Sequence, residues 1–163
     1  MTIENIRGDK MDKIIESNGL PRSGLRIRNE KDVDREIKRA VIEFAQWVRK
    51  HYDFPVRIVV YIKNRKLIKA MDGEMVSATC FLPFSKEVEP YARVSVGDYE
   101  TVKEKRGQDN ALAGILCSVA HELTHYFRWL SDEEFDDEEK EEKTVSRLAR
   151  RMVNSYSETR EHP

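Results

Sequence analysis

Cysteine is nearly absent from this 163-residue chain, which has two, Cys80 and Cys117. Both lie in apolar segments, so no disulfide framework is available, and they read as reduced thiols of a cytosolic protein. No apolar run approaches the roughly 18 residues of a membrane span. The first twenty residues scatter Glu4, Asp9, Asp12 and Glu16 among their apolar positions, so no signal-peptide core is expected. Neither charge dominates: 29 basic residues face 30 acidic ones, for a net charge of -1. Nucleic-acid phosphate demands a net basic face, so nucleic acid is not expected as a partner, and without an apolar span neither is a membrane. Internal repeats and glycine-rich phosphate loops are missing too. What remains is a chain long enough to bury roughly two-thirds of its unfolded surface around one core.

Periodicity orders the elements. Met11 to Ser17 reads as a short helix ended by Asn18-Gly19 and Leu20-Pro21, within a segment, 1–30, that is otherwise hard to read. Asn29 is the expected N-cap of the next helix. Val33, Ile37, Ala40, Val41, Phe44, Ala45 and Val48 then form one apolar stripe running to about His51. The period falls to two. Val56, Ile58, Val60 and Ile62 alternate through a strand entered at Pro55, and Val76, Ala78, Cys80 and Leu82 through a second, Met75 to Leu82. Ala92, Val94 and Val96 mark a third strand, whose other face, Arg93 and Ser95, suits an edge. Helical signals take over at Tyr99, with a short helix to Arg106 and Gly107 beyond it. A longer helix follows, capped by Asp109 and running to about Leu130. It is apolar from Ala111 to Ala120 except at Ser118, so burial on nearly all sides is expected. A loop from Ser131 to about Asp136 leads to a last helix ending near Tyr156. This order predicts an α+β fold with a small, mainly antiparallel sheet of three to four strands. It forms one domain over 31–157, with 158–163 frayed.

The apolar helix ends in His121-Glu122-Leu123-Thr124-His125. Histidines four apart share a helix face, about 5–6 Å between Cβ atoms, so both imidazoles reach one Zn²⁺ at about 2.0–2.1 Å. Glu122 is rotated about 100° from His121, poorly placed as a ligand and well placed to take a proton from water that the metal acidifies. The pentapeptide is the HExxH signature of metalloproteases. Its apolar approach carries it inward, where an unpartnered ionisable cluster is costly and a cation relieves the cost. A catalytic zinc needs a third protein ligand. His51, ending the first helix, and His162, in the terminus, are poorly placed. The acidic run from Asp132 to Glu142 has nine carboxylates in eleven residues. It precedes an inward stripe of Val145, Leu148, Ala149, Met152 and Val153. One turn back along that stripe lie Glu141 and Glu142, and two turns back Glu138. Glu142, three before Val145 and seven before Ala149, is the first choice, with Glu141 and Glu138 left open.

HELTH followed by a glutamate on the next helix resembles the gluzincin branch of the zincin metallopeptidases. In size the chain is similar to its small cytosolic members, the minimal gluzincin-like and ImmA/IrrE-like peptidase domains. The similarity runs from His121 to about Tyr156. Glu142-Lys143-Thr144-Val145, then Leu148-Ala149, is similar to the family's glutamate helix, with Val145 where alanine is more usual. The resemblance implies a zincin-like fold, one zinc ion held by His121, His125 and Glu142, and Glu122 as general base and then general acid. It implies a peptide or protein substrate, a cytoplasmic location, and an edge strand, here Ala92 to Val96, that pairs with extended substrate.

Departures from related patterns sort the branches. Arg128 and Ser131 stand where a metzincin has glycine and histidine. Ser146 stands where a thermolysin-type helix has the aspartate that orients a zinc histidine. Peptide deformylases share HExxH and use an upstream cysteine, but Ser77-Ala78-Thr79-Cys80-Phe81-Leu82 lacks their glycine and glutamate flanks. The alternative from another class is a zinc-stabilised peptide-binding module without turnover; a deformylase-like amide hydrolase ranks below it. Tyr126, Tyr91 and Tyr99 are candidates for a hydroxyl that steadies the oxyanion. Trp47 and Trp129 read as core aromatics. Arg147, Arg150 and Arg151, with Lys140 and Lys143, read as i,i+4 partners of the acidic turn and as partners of the helix dipole.

Overall fold

Residues 22–163 are described by the computed structural model. The helix expected over Met11 to Ser17 lies outside them. The first described element is strand β1 (Leu25–Asn29), where apolar Leu25 and Ile27 alternate with Arg26 and Arg28. Asn29, expected as a helix cap, ends this strand instead. The cap is Asp34, whose carboxylate accepts from the Glu36 amide at 2.8 Å. Helix α1 (Arg35–His51) then buries Ile37, Ala40, Val41, Phe44, Ala45 and Val48, the expected stripe.

Strand β2 (Ile58–Lys63) runs parallel to β1, with Leu25 opposite Ile58. The expected strand from Met75 to Leu82 is in fact two. Met75–Val76 (β4) folds back on Ile68–Lys69 (β3) as a small ribbon, whose turn holds Gly73 at φ 91°. Ala78–Phe81 (β5) pairs antiparallel with Tyr91–Ser95 (β6), which in turn is parallel to β2. The break falls at Ser77, whose carbonyl accepts from the Ser95 amide and the Ser95 hydroxyl, both at 2.8 Å.

The sheet order is therefore β1-β2-β6-β5, and two expectations change. The sheet is mixed, not mainly antiparallel, because β1 reaches β2 through a whole helix, a crossover that permits parallel pairing. And β6 is an interior strand, so substrate cannot add along Ala92 to Val96; the edges are β1 and β5. Ser95 is buried there without penalty because its hydroxyl meets the Ser77 and Lys66 carbonyls.

Helix α2 (Tyr99–Arg106) and helix α3 (Gln108–Leu130) meet at Gly107, whose φ of 89° ends one and begins the other. Asp109, expected to cap α3, lies within its first turn. The helix buries Ala111, Leu112, Ile115, Leu116, Val119 and Ala120 in the core. All-round burial is not found, however: Gly114 and Cys117 are exposed, and Ala113 and Ser118 half-buried. These small residues form an open face that leads along α3 to the histidines. Helix α4 (Glu138–Ser157) follows the loop 131–137, is capped by Asp137, and buries Val145, Ala149, Met152, Val153 and Tyr156. The tail, expected to fray, is tied to the body. Arg160 Nη1 lies 2.7 Å from Glu43, and the Pro163 carbonyl accepts from Arg39 Nη2 at 2.9 Å. Among the described residues no helix is long and apolar enough to cross a membrane.

Candidate metal centre

His121 and His125 occupy successive turns on the open face of α3, ring centroids 5.0 Å apart and planes at 71°. Both imidazoles turn Nε2 toward Glu142 of α4, and a carboxylate oxygen accepts from the His121 Nε2–H. His121 reaches Oε2 at 3.0 Å and His125 reaches Oε1 at 2.9 Å. One ligand atom from each of the three residues lies within 4.8 Å of the other two. No other such trio of His, Cys, Asp or Glu converges among the described residues. Burial lowers the His125 pKa against the opposing pull of the Glu142 charge, which favours the neutral imidazole that a metal requires.

The phase of α4 decides which glutamate arrives. Glu141 is buried, and both its oxygens meet the Arg128 guanidinium: Nη2 donates to Oε2 at 2.8 Å and Nε to Oε1. This two-point contact fixes the rotation of the first turn. Residue 142, about 100° further round, is thereby aimed at the histidines. Glu138 is exposed and outside the converging group. Of the three glutamates left open by the sequence, Glu142 is the one the fold brings to His121 and His125.

Glu122 points to one side of this group. It is 5% exposed and makes no hydrogen bond to a described residue. With Ser77, Ala78, Cys117, Ser118 and His121 it lines a cavity of about 300 Å³. Burial first, and the Glu142 charge second, push its pKa up to about 8. A carboxyl with no donor among the described residues, opening on a cavity beside two imidazoles, is equipped to receive a proton.

The other candidates lie elsewhere. The Tyr126 hydroxyl is fully buried, donates to the Val56 carbonyl and accepts from the Val56 amide at 3.3 Å; burial pushes its pKa up to about 12. Tyr91 shares its sheet face with Tyr61 and Phe81, opposite the Ala92 and Val94 side chains buried in the core. Tyr99 begins α2 with a buried hydroxyl that has no hydrogen-bond partner among the described residues. None of the three joins the histidines. His51 stacks on Trp47, and His162 pairs with Asp109. Cys80 is a half-buried residue whose thiol pKa is raised well above its usual value by desolvation and then by Glu122, and it is no member of the converging group.

Sequence reasoning misses Arg128 as the anchor of α4, and it gives the edge beside the site to Ala92–Val96, whereas β5, within the expected Met75–Leu82 strand, occupies that edge. Arg128 entered only as a residue out of place for a metzincin. The signal for its role was its placement one turn after the motif, opposite an acidic helix start. No protein-family model, no curated protein and no solved structure matches the chain.

Proposed function

We infer that the chain is a zinc-dependent metallopeptidase with a zincin-like fold of the gluzincin type. One observation carries this reading: two imidazoles from adjacent turns of α3 and a carboxylate from α4 aim at a common point, beside a buried carboxyl that makes no hydrogen bond to a described residue. Two imidazole nitrogens and one carboxylate oxygen are the donor set of a three-ligand catalytic zinc. A zinc ion held by His121, His125 and Glu142 supplies Lewis acidity toward the scissile carbonyl and acidifies water nearby.

The chain's own residues do the rest. Glu122 accepts the proton that the attacking water gives up as its oxygen bonds to the carbonyl carbon. It then delivers that proton to the amide nitrogen as the C–N bond breaks, so the amine leaves neutral. Strand β5, the outer strand nearest the site, supplies the edge along which an extended peptide lies. Its Ala78 lines the same cavity as His121 and Glu122.

Metal analysis and one variant test the reading. The purified chain is expected to bind about one zinc per molecule, as a three-ligand site does. Glu122→Gln is expected to keep that zinc while peptide hydrolysis falls at least about 10²-fold. Hydrolysis that survives the change removes Glu122 from the mechanism. Zinc binding with no cleavage across a varied peptide library makes the chain a zinc-stabilised binding module instead.

A further inference from the structure

Glycine inside a helix costs stability relative to alanine, so a mid-helix glycine calls for a reason. Gly114 lies in the body of α3 without a positive φ, so its backbone gives none. Packing gives none either, because a Cβ built there meets no described atom within 4 Å. The helix keeps a space above this turn that the described chain does not fill.

That space is a recess of about 170 Å³. Val96 from the end of β6, Tyr99 and Val102 of α2, and Ile115 of α3 wall it, each buried or half-buried. The Ser118 hydroxyl turns back to the Gly114 carbonyl at 3.3 Å and leaves the apolar character of the walls intact. Asp98 is the one charged residue among those that line it.

Recess and candidate catalytic cavity are continuous. Ser77 and Ser118 line both the recess and the cavity that holds His121 and Glu122. Helix phase agrees. At 100° per residue, Gly114, Ser118, His121 and His125 fall within about 60° of one another, on one stripe of α3. Glu122, 5% exposed and without a hydrogen bond to a described residue, opens on the same cleft. Strand β5 begins directly after Ser77, so the sheet edge beside the site also starts here.

We propose that the recess is a specificity pocket: it takes one apolar side chain of the substrate, of leucine to phenylalanine size, two or three residues to one side of the scissile bond. The assignment rests on the peptidase reading. Its size follows from the volume, since apolar space of about 150 Å³ accepts a molecule of benzene. Its position follows from the helix. Gly114 and Ser118 lie seven and three residues before His121, about 10.5 and 4.5 Å along an axis rising 1.5 Å per residue. An extended peptide advances about 3.3 Å per residue, which sets the separation at about two or three residues. Acidic side chains are rejected, because a carboxylate there would leave water for apolar walls and face Asp98.

The test uses the full zinc-loaded chain and fluorescein-labelled peptide hydroxamates, whose hydroxamate chelates the zinc whether or not the chain cleaves peptides. They carry leucine or alanine at the second and third residues from the hydroxamate, which is N-terminal in one pair and C-terminal in the other. In one of the two orientations the leucine peptide is expected to bind about tenfold tighter than its alanine partner. Gly114→Phe, whose ring fills the recess, is expected to abolish that advantage and leave the alanine peptide within about twofold. Gly114→Ala is expected to weaken the leucine peptide two- to threefold while raising the melting temperature by about 2–4 °C. Weaker binding in a more stable protein separates a glycine kept for a ligand from one that the fold needs. Equal binding of leucine and alanine peptides in both orientations overturns the proposal. So does a Gly114→Phe protein that folds by circular dichroism and keeps the leucine advantage, or a Gly114→Ala protein that melts lower. Hydrolysis is scored separately. A leucine advantage in binding, with no peptide of a varied library cleaved, leaves the pocket standing and removes the peptidase reading; cleavage abolished by Glu122→Gln but indifferent to leucine does the reverse.

Discussion

At the start of α4 two adjacent glutamates face different surroundings. Glu141 is buried and gives both oxygens to Arg128. Glu142 keeps 56% of its side chain exposed and gives one oxygen to each of two imidazoles. A buried carboxylate saturated by a guanidinium has nothing left to offer a metal, and losing its partner strands a charge in low dielectric. A carboxylate held by two imidazoles is different. Those donors are metal ligands by type and can exchange their shared proton contacts for a common cation. The first acid sets the helix in place, and the second is thereby left facing the two imidazoles.

Removing the clamp tests this most severely. Arg128→Met leaves Glu141 buried without a counter-charge and is expected to cost about 3 kcal/mol in urea unfolding. Arg128→Met/Glu141→Leu, which removes both charges, is expected to recover most of that loss. The neighbouring change behaves oppositely. Glu142→Ala should cost only about 0.5–1 kcal/mol, the usual worth of exposed polar contacts, yet abolish zinc binding in a metal titration. A Glu142→Ala protein that keeps a full equivalent of zinc, beside a Glu141→Ala protein that loses it, would reverse the two roles.

A smaller effect is expected at Tyr126, which belongs with Glu141 among the structural groups. Its hydroxyl ties α3 to the Val56 backbone, so Tyr126→Phe should cost about 1–2 kcal/mol. Peptide turnover at saturation should not change. A fall in kcat of tenfold or more, with zinc still bound, would return this hydroxyl to the reacting centre as an oxyanion donor.

These contrasts also show what could be read along the chain and what could not. The α1 stripe and the alternation in β2 are local patterns, and the structure keeps both. The spacing of His121, Glu122 and His125 is equally local, since one turn of helix decides which side chains are neighbours. Whatever depends on contacts between distant segments was out of reach. The Leu25–Asn29 strand alternates over only five residues, and its parallel partner lies beyond a helix. Ser95 looks like a solvated position until the carbonyls of Lys66 and Ser77 are seen to satisfy it. Glu141 and Glu142 are indistinguishable by composition. The choice between them is made by a guanidinium thirteen residues before Glu141.

The weakest prediction compares two kinds of histidine–carboxylate contact. His162 Nδ1 lies 2.7 Å from Asp109, no further apart than His121 and His125 are from Glu142, but fully at the surface. The Asp109 hydrogen bond, and then its charge, raise the His162 pKa. A raised folded-state pKa means that the folded chain holds the proton more tightly than the unfolded one. The stabilisation is therefore complete below the unfolded value, about 6.5, and fades as pH climbs through the higher folded value. Asp109→Asn should lower the melting temperature slightly at about pH 5.5, and the gap should close by about pH 9. Added salt should shrink it, because exposed charges are screened within about 10 Å at 0.1 M. A gap that persists unchanged at high pH would mean that the tail is held by a neutral hydrogen bond, and that the ion pair contributes nothing to its docking.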